Sequence, residues 1–279
     1  MALNHPDFST GISFRKFPPV WVRGAGELGS AVALSLYRCG FRIFLSEQNP
    51  PLAIRRAVTF SDAIIEAQTS VETVLGRRYE LDEFSLQDWP QDSIPLFPDN
   101  PQRLKSLDPL ILVDARMIKH YDRDYRHWAK LVIGLGPGFI AGTNCHTVIE
   151  TMRGHHLGRI IWKGTAQPNT GVPGNIGGES RRRVIHAPEG GKITWLISIG
   201  DLVNSGDTLG LINKKTNIRA PFNGLVRGLI NPVVHVNKGL KIADVDPRGA
   251  GIDFHHVSDK SNAVGRSVLE AVLIFLKKV

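Results

Sequence analysis

Residues 185–245 are written twice, and no other feature of this chain restricts its fold so tightly. Ile185-His186-Ala187-Pro188 recurs thirty-three residues on as Ile218-Arg219-Ala220-Pro221, and the copies then align without a gap. Gly191 falls on Gly224, Leu196 and Ile197 on Leu229 and Ile230, Val203 and Asn204 on Val236 and Asn237, and Gly206 on Gly239. A β unit this short cannot bury its own apolar face. The two copies must therefore wrap around each other about a pseudo-twofold axis and share one core.

The spacing of Ala-Pro-x-x-Gly, an apolar run, Gly-Asp and a second Ala-Pro is similar to that of biotinyl and lipoyl carrier domains, which implies a barrel-sandwich hybrid over 181–246. Those carriers display a modified lysine between two methionines at the joint. Here the joint reads Ile212-Asn213-Lys214-Lys215-Thr216-Asn217-Ile218, without methionine. Lys214 and Lys215 are read as a charged hairpin tip in water, and no biotin or lipoate is expected.

Near the amino terminus a short apolar run, 19–22, breaks into Gly24-Ala25-Gly26-Glu27-Leu28-Gly29, and 30–39 then carries apolar residues at helical spacing. Gly40 ends that helix, 42–45 reads as a second strand, and Glu47 stands at its end. Strand, glycine turn, helix and acid form the dinucleotide fingerprint. Gly24 permits the tight turn, Gly26 lets backbone approach a pyrophosphate, and Gly29 lets helix pack on strand. The amides of Ala25, Glu27 and Leu28 open the helix, where phosphates bind, and Glu47 is placed to bond a ribose diol. The ligand expected is NAD(P) or another dinucleotide.

Further strands are expected at 71–75, 94–97, 111–113 and 131–133. The crevice at their carboxyl ends receives Asp114 with Arg116, and a second glycine loop containing Gly134 and Gly136. That loop serves either as an anion cradle or as a tight turn. Asp114, Arg116 and Lys119 read as a ligand-fixing set or as an ion-pair cluster. Residues 167–179, rich in Gly, Pro, Asn and Thr, are a linker into the repeat, and 264–276 is an amphipathic helix packed on the body.

Cys145, His146, Glu150, His155 and His156 are donors enough for a metal, but their spacing matches no zinc pattern, and no metal is assigned. Cys39 and Cys145 are too few for a disulfide framework, and the reading is a cytoplasmic protein. No apolar run is long enough to cross a bilayer and the amino terminus has no secretory pattern, so no membrane association is expected. The net charge of +8 is scattered, without aromatic interleaving; it favours a small anionic ligand over nucleic acid.

Val22-Arg23-Gly24-Ala25-Gly26-Glu27-Leu28, Pro51-Leu52-Ala53-Ile54-Arg55-Arg56, Val113-Asp114-Ala115-Arg116, 133–142, 148–158 and Asp244-Val245-Asp246-Pro247-Arg248-Gly249 resemble the YqeB-like, selenium-dependent molybdenum hydroxylase system protein family. Leu28-Gly29-Ser30-Ala31 and Asn144-Cys145-His146 depart from its pattern. The resemblance implies a role in maturation of molybdenum hydroxylases, through cofactor sulfuration, selenium insertion or delivery. It makes such an enzyme, or its cofactor-maturation proteins, the expected partner.

These readings give an α/β chain, a Rossmann-like sheet plus a C-terminal all-β barrel-sandwich hybrid. The divisions are 1–143 for nucleotide binding, 144–180 as a connecting segment, 181–246 as the duplicated module and 247–279 as tail and helix. The expected function is a maturation factor that binds a dinucleotide, or molybdopterin dinucleotide, and forms a weakly held homo-oligomer. A non-catalytic docking or delivery protein is the alternative. An NAD-dependent oxidoreductase comes third, for want of a Tyr-x-x-x-Lys or His-Asp acid-base pair.

Overall fold

The computed structural model describes residues 17–121, 123–172 and 174–278; the reading of the amino terminus concerns residues 1–16, outside that part. The first strands are β1 (Val20–Arg23), β2 (Ile43–Glu47), β3 (Gln68–Val71), β4 (Val74–Arg78), β5 (Ser93–Pro98), β6 (Ile111–Asp114) and β7 (Leu131–Leu135). The short Val-, Ile- and Leu-rich runs become the central strands β1, β2, β5, β6 and β7, buried on both faces as parallel strands are, while β3 and β4 lie toward an edge and are partly exposed. After the small pair formed by β8 (Ile140–Ala141) with β11 (Gly164–Thr165), β9 (Thr147–Ile149) and β10 (Ile160–Ile161) rejoin the main sheet. Its order is β10-β9-β7-β6-β1-β2-β5-β4-β3, parallel except at the two edges.

Two helices cover one face. Helix α1 (Glu27–Arg38) crosses from β1 to β2, while α4 (Asp259–Leu276) arrives from the far end of the chain, beyond the repeat. Val264, Val268, Ala271 and Val272 of α4 are fully buried against α1 and the edge of the sheet, on the face that the helical spacing predicts. Among the described residues, the opposite face has no long helix. Trp21, Phe44, Phe97, Leu112 and Val132 point there into an aromatic layer with Trp89, Trp128 and Phe139, roofed by loops, single 3-10 turns and the four-residue α3 (Pro101–Leu104). Another short helix, α2 (Ala63–Glu66), lies under the α1 side.

The repeat holds strand for strand. β12 (Val184–His186), β13 (Gly191–Trp195), β14 (Leu202–Val203) and β15 (Thr208–Ile212) recur as β16 (Thr216–Arg219), β17 (Gly224–Leu229), β18 (His235–Val236) and β19 (Lys241–Asp246). Each four-stranded sheet takes two strands from each copy, β12-β19-β17-β14 and β16-β15-β13-β18, around one apolar core. Single bonds repeat too. The Gly206 N–H donates to the Ala220 carbonyl at 2.9 Å, and its symmetry mate Gly239 donates to Ala187 at 2.8 Å.

This arrangement corrects the expected class, a Rossmann-like sheet plus a barrel-sandwich hybrid. The large sheet is mixed, because a two-residue hairpin turns β3 back onto β4 and β10 returns antiparallel on β9. Helices do not wind both of its faces, and the C-terminal module is a pair of four-stranded antiparallel sheets. The run expected as one strand over 71–75 contains that hairpin.

Candidate functional site

The carboxyl ends of β1, β2, β5 and β6 open onto a cavity of about 720 Å3, closed on its far side by β12, β19 and the start of α4. A parallel sheet places its ligand at this position. Gly24 adopts φ +100°, and a Cβ there would stand 3.0 Å from the backbone of Ala115 and Arg116. Gly29 has no room for a side chain at all, since a Cβ would lie 1.8 Å from the Gly24 carbonyl oxygen. The sequence reading of these two glycines, tight turn and close helix packing, is what the backbone requires.

The loop between them is already furnished with carboxylates. Glu47 reaches back from the end of β2, accepting from the Ala25 N–H through Oε2 and from the Gln48 N–H through Oε1, each at 2.8 Å. Burial raises its pKa, and the nearby Asp99 adds to the rise against those two hydrogen bonds. A pyrophosphate laid on the loop would compete with Glu47 for the Ala25 amide and meet its charge.

Glu27, first residue of α1, turns toward the module. Its Oε1 accepts from the Ser258 and Ser261 hydroxyls at 2.8 and 2.9 Å, and its Oε2 pairs with Arg55 at 2.7 Å. Burial alone would raise this carboxyl, but Arg55 and the two serines outweigh it and hold the pKa at about 2. Arg55 continues to Asp244 on β19, at 2.8 Å, and fully buried Asp244 takes Arg183 at 3.2 Å. The same strap docks by backbone: Leu229 N–H donates to the Ile54 carbonyl at 2.8 Å.

Six cations and three carboxylates line the cavity, and the pairings decide which charges remain available. Arg55 and Arg183 are engaged as above, Arg116 is gripped by Asp114, and Arg153 pairs with Asp259. The ammonium groups of Lys241 and Lys260 form no ion pair or hydrogen bond among the described residues. Burial pushes the Lys260 ammonium below its ordinary pKa, against the pull of Glu27.

The remaining sequence expectations separate here. Gly26 and Leu28 line the cavity with Glu27 and Glu47, but Asp114 lies behind it, holding Arg116 by Nε at 3.0 Å and a terminal nitrogen at 2.6 Å. Lys119 is exposed and outside the lining. The second glycine loop is not brought to the cavity. Gly134 leaves space for the Phe139 ring, and Gly136 at φ +73° lies against Thr151 and Met117. Cys145 is fully buried, which pushes its thiol up to about 12, so it is no nucleophile at neutral pH. His146 accepts from the Val132 N–H through Nδ1, and Glu150 accepts from the Met152 and Gln167 amides. Among the described residues no group of three or more His, Cys, Asp or Glu stands close enough to hold a metal. No described helix is long and apolar enough to cross a membrane. The residues the sequence reading did not place in the site are Ser258, Lys260 and Ser261, together with Arg183 and Lys241; the linear signal for the three cations was basic residues dispersed over the chain, and for Ser258 its place as the N-cap of α4.

No family model matches the chain. It is 43% identical over 258 residues to the uncharacterized protein YqeB of Escherichia coli, an alignment that takes in 92% of this chain and 48% of the relative. The chain thus spans about half the length of the curated relative it matches. Solved structures that align with it include an aspartoacylase family protein of Mesorhizobium loti, at 15% identity and TM-score 0.27, covering 82% of this chain and 85% of that one. A succinylglutamate desuccinylase/aspartoacylase of Rhodobacter sphaeroides aligns at 14% identity and TM-score 0.27, covering 82% and 85%. An ectoine utilization protein of Ruegeria pomeroyi aligns at 13% identity and TM-score 0.26, also covering 82% and 85%. Scores this low transfer neither fold nor activity. The expected function is nevertheless corrected. The neighbours are acylase- and desuccinylase-family proteins by name and the relative is uncharacterized; none of them carries the expected maturation of molybdenum hydroxylases, which is withdrawn together with selenium handling, the biotinyl/lipoyl-like module and the docking and oxidoreductase alternatives.

Proposed function

The similarity to YqeB supports a YqeB-like family for this chain, and from that premise we propose that the cavity between sheet and repeat binds a small organic anion bearing a phosphate or carboxylate group. One observation carries the reading: the Lys260 ammonium, from the first turn of α4, lines the cavity without an ion pair among the described residues, while Arg116 and Arg153 in the same wall are fixed by carboxylates. A half-buried ammonium with no carboxylate paired to it has lost part of its hydration, and a ligand anion offsets that loss. Glu47 and Glu27 keep the glycine loop itself from being the anion's seat.

Isothermal calorimetry and thermal shift at low salt test this with fructose 6-phosphate, AMP, NAD, NADP and citrate as probes. At least one probe is expected to bind in the millimolar range or tighter. Lys260→Gln should weaken it about tenfold, the scale of a hydrogen bond to a charged group. If no probe binds at millimolar concentration, or if Lys260→Gln leaves the affinity where it was, the reading fails.

A further inference from the structure

The pseudo-twofold axis supplies an internal comparison, because each residue of the repeat that faces the cavity has a symmetry mate elsewhere. Arg183 and Lys241 line the cavity, and buried Asp244 stands behind them. Thirty-three residues away their mates are Thr216, Thr208 and Leu211, none charged and none in the cavity wall. The shared core needs neither cation, since the same strands are built without them in the other half.

Arg183 also has unused capacity. Its side chain is 4% exposed, Asp244 takes one terminal nitrogen at 3.2 Å, the Gly174 carbonyl takes the other at 3.3 Å, and Nε has no partner among the described residues. A buried guanidinium nitrogen left unpaired is rare, because it forgoes hydration without replacement. Lys241, at the exposed start of β19, adds to the same wall a cation whose ammonium has no ion pair among the described residues.

We propose that this half of the repeat is a second anion subsite, in which Arg183 and Lys241 take a further acidic group of the ligand, so that the ligand is a bis-anion held between the sheet and the repeat. The inference rests on the anion-binding reading above. Asp244 is a positioning residue. It fixes Arg183 on one side and Arg55 on the other, without lining the cavity itself.

Calorimetry with fructose 6-phosphate and fructose 1,6-bisphosphate separates one subsite from two. The bisphosphate is expected to bind about tenfold tighter or better, and Lys241→Gln should bring the ratio of the two affinities toward one, with Lys241→Arg restoring it. Arg183→Gln should act in the same way. Lys241 is exposed, so its variant remains informative if the Arg183 variant does not fold. A bisphosphate that binds no tighter than the monophosphate overturns the second subsite alone, and so does a Lys241→Gln loss that is equal for both. If neither sugar phosphate binds while AMP, a nicotinamide dinucleotide or citrate does, the second subsite falls alone; if none of these probes binds, the anion-binding reading falls and this one with it.

Discussion

Glu27 occupies the first turn of α1, yet its carboxylate serves the other end of the chain. Ser258 and Ser261, which hold it, lie 231 and 234 residues away in sequence. With its pKa lowered from 4.5 to about 2, the folded state binds the Glu27 proton less readily than the unfolded chain does. The stabilisation is therefore full above the unfolded value and fades as pH falls from about 4.5 toward 2, amounting to about 3 kcal/mol at neutral pH. The side chain is 19% exposed, so solvent screens little of it. Glu27→Gln should lose much of that amount in urea unfolding at pH 7 and show a flatter stability profile between pH 5 and 2. A variant as pH-sensitive as the wild type would refute the assignment. At this scale the sequence showed Glu27 and Glu47 because the glycine turn lies beside them. It hid the partners of Arg55 and the site roles of Arg183, Lys241 and Lys260, because nothing local marks a cation whose neighbours are supplied by tertiary packing.

Elements show what periodicity reveals and what it conceals. Helix α4 was legible because Val264, Val268, Ala271 and Val272 repeat on one face, but its partner was not, since spacing does not name the surface it packs on. The partner is α1, and the crossing is close at Gly265, where a Cβ would stand 2.7 Å from the Ala31 carbonyl oxygen and 2.6 Å from the Ser35 Oγ. Two effects oppose each other in Gly265→Ala. Helix propensity favours alanine by about 1 kcal/mol, whereas forcing atoms into a packed contact costs about 1–3 kcal/mol. Most of the contact is backbone, which does not yield, so a net loss of stability is expected, and a larger one for Gly265→Leu. A melting temperature raised by Gly265→Ala would show that the helices are less closely apposed. The aromatic face escaped notice for a related reason: Trp21, Phe44 and Phe97 announce burial, but they do not say that loops rather than helices will cover them.

For the whole molecule, the repeat predicted its own symmetric core but not its attachment to the sheet. Attachment depends on breaking that symmetry. Gly228 stands where the first copy has Trp195, and only glycine leaves the Ile54 carbonyl its approach, 2.8 Å from where a Cβ would be. The strap that follows carries Arg55, which joins Glu27 of α1 to Asp244 of β19, and α4 then returns from the repeat to the sheet. Two cores linked in this way should unfold as one unit, because neither can leave without exposing charges held by the other. Arg55→Met removes the shared cation and leaves Glu27 with its serines and Asp244 with Arg183 alone. Breaking a buried pair in this manner costs about 3–5 kcal/mol. Calorimetry should show a single wild-type transition that falls sharply in Arg55→Met or divides into two. Pairing the variant with Glu27→Gln should cost less than the two separate losses combined, because the same contact is counted in both. Strict additivity would mean that Arg55 acts on each side independently, and that sheet and repeat are held together by the backbone strap and α4.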